Sequence, residues 1–132
     1  MVKRVSVRTA EPDYVVEAEA VRIGPDILVY IWGGERPHIG AVAAAQPRPS
    51  LTDPSKTSAT ASVLSYVGHK EDGVAKEMAE AISARFKTNA VVTAGIHWDD
   101  LPADGIQIIV DRCREITGKV IDALERDEPL SR

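Results

Sequence analysis

The hydrophobic period of this chain changes partway along, and that change limits what it can fold into. Over most of residues 2–67 apolar side chains alternate with polar ones, the two-residue period of a strand with one covered face. Residues 2–9 read as an edge strand and residues 14–23 as a second strand with Glu17 and Glu19 on one face. Gly24-Pro25-Asp26 marks a turn, and the run 27–32 (ILVYIW), closed by Gly33-Gly34, reads as a buried central strand. Residues 39–46 form a strand of small side chains, 47–56 a longer exposed loop with Pro47, Pro49 and Pro54, and 57–67 a further strand. Then Val74, Met78, Ala81, Ile82 and Arg85 fall at helical spacing, which predicts a helix over 72–87. A strand over 90–96 follows. A long helix over 103–126 carries Ile106, Ile109, Val110, Cys113, Ile116, Val120, Ile121 and Leu124 on one stripe, with Gly118 inside it as a weakening element. The order predicts an α+β fold: a mostly antiparallel sheet of five to six strands with two helices packed on one face.

A chain of 132 residues, with no internal repeat or linker, is expected to form one domain over residues 1–132. The net charge of -4 argues against nucleic acid as a partner, because such proteins show a basic face. No apolar run reaches the roughly 20 residues that span a bilayer, and the basic N-terminal stretch lacks an apolar segment behind it. The expected location is cytoplasmic, with no membrane association. Cys113 is the one cysteine, which rules out an intrachain disulfide; its place on the apolar helix stripe predicts a buried, inert thiol.

The three histidines have a common placement. His38, His69 and His97 each follow a predicted strand. Strands 27–32 and 39–46 share a short loop and should be antiparallel, so strand 57–67 runs parallel to 27–32. The unit 57–96 is strand, helix, strand, which makes its two strands parallel. All three histidines are then expected at one rim, with both helix N-termini, whose N–H groups suit a phosphate or carboxylate. Gly33, Gly34, Gly40, Gly68 and Gly95 would let a ligand approach the backbone. Trp32, Tyr66 and Trp98 offer flat apolar surface, and Glu71, Asp72, Asp99 and Asp100 supply carboxylates.

Plainer roles exist for each residue taken singly. A lone loop histidine is commonly a surface or hydrogen-bonded residue, Asp72 and Asp99 or Asp100 could cap helices, and Trp32 and Tyr66 could be core residues. Three loops that each bring Gly and His to one edge argue for a shared site. There is no Walker loop, dinucleotide glycine fingerprint, zinc-binding cysteine pair or nucleophile elbow.

Three strings together resemble the LpdD-like family, which is associated with gallate decarboxylase and described as a prenylated-flavin chaperone. They are Gly33-Gly34-Glu35-Arg36-Pro37-His38-Ile39-Gly40, Gly68-His69-Lys70-Glu71-Asp72 and Thr93-Ala94-Gly95-Ile96-His97. The resemblance spans about residues 14–124. It implies a non-catalytic accessory protein that binds reduced prenylated FMN as cargo and assists maturation of a UbiD-like decarboxylase, with the flavin prenyltransferase as a further partner. The expected cofactor-binding residues are Gly33, Gly34, His38, Gly40, His69, Lys70, Gly95, His97 and Trp98. A divalent metal ion is a further expectation, on His38, His69, His97 and Asp99. Apart from the resemblance, a flavin is large relative to the rim of so small a domain and the small-residue strand 39–46 offers a flat surface, so a homodimer or higher oligomer is expected, with sites near the interface. Two alternatives are a small metal- or His/carboxylate-dependent enzyme acting on an anionic substrate and an assembly protein without a ligand.

Overall fold

A computed structural model describes residues 3–66 and 72–127. Six strands and two helices follow in the order β1 (Lys3–Arg8), β2 (Val16–Ile23), β3 (Asp26–Gly34), β4 (Ala41–Pro49), β5 (Thr57–Ser65), α1 (Asp72–Phe86), β6 (Ala90–His97) and α2 (Gly105–Arg126). The strands form one sheet in the order β1-β2-β3-β6-β4-β5. Every pairing is antiparallel except β3 with β6. This is the α+β architecture that the change of period predicts.

Alternation decides which side chains go inward. Val16, Ala18 and Ala20 of β2, Ile27, Val29 and Ile31 of β3, Ala41 and Ala43 of β4, and Val92 and Ala94 of β6 are buried in one layer. Ala75, Met78, Ala79 and Ile82 of α1 and Cys113, Ile116, Val120 and Leu124 of α2 cover that layer, so both helices pack on one face. The small residues of β4 and β6 let α1 sit close to the sheet.

Four sequence expectations change. The run 27–32 is central but not buried on both sides: Leu28, Tyr30 and Trp32 are half-buried on the helix-free face, because both helices share the other one. Residues 47–49 are strand, not loop. β6 pairs with β4 only over Ala41–Ala45, so Pro47 and Pro49 lie where one side of β4 is open and a missing N–H costs no ladder bond. Residues 14 and 15 fall outside β2, since Tyr14 takes a left-handed φ of 53°. Ile106 is exposed at the start of α2, ahead of the part of the stripe that reaches the core.

Strands β3 and β4 are antiparallel in direction, as their short connection requires, but β6 lies between them. The 35–40 loop therefore crosses the end of β6. Glu35 N and Arg36 N donate to His97 O at 2.8 and 3.4 Å, and Gly40 N donates to Ala94 O at 2.8 Å. Strands β3, β5 and β6 all run the same way, so their C-terminal ends share one rim.

Candidate functional site

The crossing explains why glycines and histidines alternate in the two strings. A Cβ on Gly95 would stand 1.5 Å from His38 O, and one on Gly34 would stand 2.0 Å from His97 O. Gly34 also has a φ of 89°, a conformation that L side chains rarely adopt. Each string's glycine thus makes room for the backbone of the other string's histidine. Gly33 and Gly34 pair with Ile96 and His97 in the parallel ladder.

The side chains continue this link. His97 Nε2–H donates to Asp99 Oδ1 at 2.9 Å, and Asp99 Oδ2 accepts from an Arg36 guanidinium N–H at 3.2 Å. His38 Nδ1–H donates to Arg36 O at 2.9 Å; a carbonyl only accepts, so Nδ1 carries the proton. Arg36 therefore joins both histidines. The hydrogen bond from His97, aided by the Arg36 charge, holds Asp99 below the usual aspartate range. Asp99 is therefore no helix cap: Asp104 stands at the N-cap of α2, without a side-chain cap bond.

Beside this network lies a cleft of about 410 Å³, within the size range of small-molecule sites. Its lining includes Arg8, Tyr14, Glu17, Trp32, Gly33, Gly34, Glu35 and Trp98. Tyr14 meets Trp98 edge to face, with ring centroids 5.3 Å apart. The connection that carries Tyr14 is pinned at both ends. Thr9 N donates to Val16 O, and Val16 N donates to Thr9 Oγ1, each at 3.0 Å. Helix α2 holds the same segment, as Ala10 N donates to Glu115 Oε2 at 2.8 Å and Arg112 Nε donates to Asp13 O at 3.2 Å. A bulky residue held at positive φ in a cleft wall is a form of strain that clusters at functional sites. Trp32 stacks on Tyr30 at 5.8 Å on the open face, so it is no core residue.

Of the expected site residues, His38, Gly40, Gly95, His97 and Asp99 meet at the crossing, and Gly33, Gly34 and Trp98 wall the cleft next to it. His69 and Lys70, with Gly68 and Glu71, lie outside the described residues. Tyr66 is 54% exposed, and its N–H donates to Gly40 O at 2.9 Å. Among the described residues no group of three His, Cys, Asp or Glu side chains is placed to hold a metal ion. Sequence reasoning passed over Arg36, Tyr14 and Arg8. Arg36 had a signal, a cation inside the Gly-Gly to His string; Tyr14 and Arg8 had none, since only the fold of the 9–15 connection and β1 brings them here.

Three comparisons bear on identity. Residues 10–125 match the family model of the prenylated flavin chaperone LpdD-like domain. The chain is 28% identical over 119 residues to protein LpdD of Lactiplantibacillus plantarum (strain ATCC BAA-793 / NCIMB 8826 / WCFS1), covering 89% of this chain and 82% of that protein. Its fold is similar to a chain in the crystal structure of a novel chaperone complex for yeast 20S proteasome assembly. There the TM-score is 0.58 and the identity 20%, over 95% of this chain and 96% of that one. With 116 consecutive residues inside the family model, this chain belongs to the prenylated flavin chaperone LpdD-like family.

Proposed function

We propose that this protein binds reduced prenylated FMN and hands it to, or keeps it intact for, a UbiD-like decarboxylase, without decarboxylating anything itself. The observation that carries this reading is the cleft between Trp32, Tyr14 and Trp98, which opens beside the Arg36–Asp99–His97 network in a chain of this family. The residues fit the group chemically. Aromatic walls suit a flat heteroaromatic ring, the Gly33-Gly34 backbone permits close approach, and Arg8 offers a cation to an anionic cofactor. When bound, the prenylated flavin would supply the electron sink that the partner uses. This chain's share is to hold it and limit its exposure to water. His97 is not among the residues that line the cleft; its ring, set by Asp99, stands next to the Gly34 wall and would meet a part of the cofactor that extends past the cleft. The protein would act as one domain over residues 1–132, in the cytoplasm, with the flavin prenyltransferase as the donor.

A metal ion at His38, His69, His97 and Asp99 has weaker support. His97 Nε2 and His38 Nδ1 are already engaged in hydrogen bonds, so each would have to ligate through its other ring nitrogen. The His97–Asp99 pair does favour a second reading, an acid–base enzyme, because a carboxylate that orients an imidazole is a common catalytic arrangement.

Anaerobic gel filtration of the protein with reduced prenylated FMN tests the first reading. Flavin should elute with the wild type and activate an apo-decarboxylase on mixing. Trp98→Ala and His97→Ala should each weaken binding about tenfold to a hundredfold, the loss of a ring contact or a polar contact. Flavin that never co-elutes, or variants that bind and activate like wild type, would overturn it. Turnover of an anionic substrate by this chain alone would establish the second reading instead.

A further inference from the structure

The two edges of the sheet differ in chemistry. Strand β1, at one edge, carries Lys3, Arg4 and Arg8. Charged side chains on an edge oppose pairing with another strand, a common defence of exposed edges. Strand β5, at the other edge, has the sequence TSATASVLS: nine residues with no charge and no proline. Its register with β4 runs unbroken from Thr57 to Ser65, so no bulge bends the edge away. Among the described residues β5 pairs with β4 alone.

Ile23, Leu51 and Ile106 are exposed elsewhere, but the other exposed large apolar side chains among the described residues lie along or beside this edge. Val63 is 38% exposed, although it stands in the same row as buried Ala59, and Leu64 is 59% exposed. Tyr66 and Ile39, at the end of this edge, are 54% and 59% exposed. A long, straight, uncharged edge with apolar side chains on it is a template for strand addition.

We propose that β5 is a homodimer interface, on which β5 of a second copy pairs antiparallel across a twofold axis at Ala61. Charge separates the two symmetric edge-to-edge pairings open to this sheet. Two β1 edges brought together would set Lys3, Arg4 and Arg8 against their own kind, whereas β5 itself carries no charge, and the cation that reaches it, Arg48 of β4, is engaged on Thr60 Oγ1 at 2.6 Å. Ala61 is the midpoint of Thr57–Ser65, so a twofold axis there uses the full strand and makes the contact isologous. It sets Val63 opposite the second copy's small Ala59, covering the side chain that the isolated chain leaves exposed. The result is one continuous sheet of twice six strands. This interface differs from the flat surface of the small-residue strand suggested by the sequence: β4 lies between β6 and β5 and offers no free edge. The inference is independent of any ligand.

Light scattering on the full chain, without cofactor, tests it. Wild type should show twice the chain mass of 14.3 kDa. The double variant Ser62→Lys with Leu64→Lys places cations on exposed positions of β5, and should show 14.3 kDa with an unchanged circular dichroism spectrum. Ser6→Lys on the exposed side of β1 should remain dimeric. In a second arm, Ala61→Cys should be joined to its twin by a short bis-maleimide in buffer and not in denaturant, with buried Cys113 unreactive in the folded chain. A monomeric wild type, a doubly substituted chain that stays dimeric, or an Ala61→Cys chain that does not cross-link would each overturn the proposal.

Discussion

Among the described glycines compared, Gly95 has the least room for a side chain. Its missing Cβ is the space into which His38 O fits, and the obstacle is backbone, which has no rotamer to escape into. Gly95→Ala must therefore push the 35–40 loop off β6. We expect a loss of about 1–3 kcal/mol, the usual cost of overpacking, measurable by urea unfolding. The His38 and His97 imidazole resonances should shift as well. An alanine variant with wild-type stability and unshifted histidines would show that the loop does not cross so closely. Asp99 gives a pH-dependent expectation. Its depressed pKa means that the His97 and Arg36 contacts favour the ionised form. The resulting stabilisation is present above the ordinary aspartate value of about 3.9 and is lost as pH falls through the lower folded value. Carbon-detected NMR titration should put the Asp99 midpoint below that of a free aspartate, and His97→Ala should raise it. An unmoved midpoint in that variant would mean the contact does not form in solution.

At the scale of elements, α2 does two jobs with two faces. Its inner face buries Cys113, Ile116, Val120 and Leu124 against the sheet. Its outer residues Arg112 and Glu115 hold the connection that presents Tyr14 to the cleft. Ile116→Ala removes a fully buried side chain and should cost about 2–5 kcal/mol. A cost below about 1 kcal/mol in chemical unfolding would contradict its place in the core. Glu115→Ala should instead cost little stability and loosen the Tyr14 segment. Cys113 reports on the same helix: burial, then the Glu77 charge, pushes its thiol up to about 12. A thiol reagent at pH 8 should label it only after unfolding, and rapid labelling of the folded protein would place α2 differently.

At the scale of the whole molecule, the strand order decides what is rigid. Strands β3, β6 and β4 lie inside the sheet, and two of them end where the 35–40 loop crosses. The site therefore rests on interior strands, which are expected to open last, as preorganised binding requires. Hydrogen exchange should be slowest in β3 and β6 and faster in β1. In β5 it should be fast in the Ser62→Lys, Leu64→Lys chain and slow in wild type. Slow exchange in β1 matching that in β6 would contradict this order of stability.

Much of this was legible in the residues themselves. The period of two and then of 3.6 determined the elements, because each inward side chain must find apolar cover and each outward one must meet water. The burial of Cys113 followed from its place on the helix stripe, and the shared rim of His38 and His97 from strand direction alone. Tertiary structure decided the rest. Residues 27–32 are open on one face because both helices chose the other, a choice that a short apolar run does not encode. Pro47 and Pro49 sit in a strand because β4 outruns β6, a relation between two distant segments. The insertion of β6 between β3 and β4 forces the loop to cross, and that crossing brings Arg36 to Asp99 and His97. Local sequence sets which way a side chain faces along its own element; which neighbour it meets depends on strand order, and strand order depends on contacts between residues far apart in the chain.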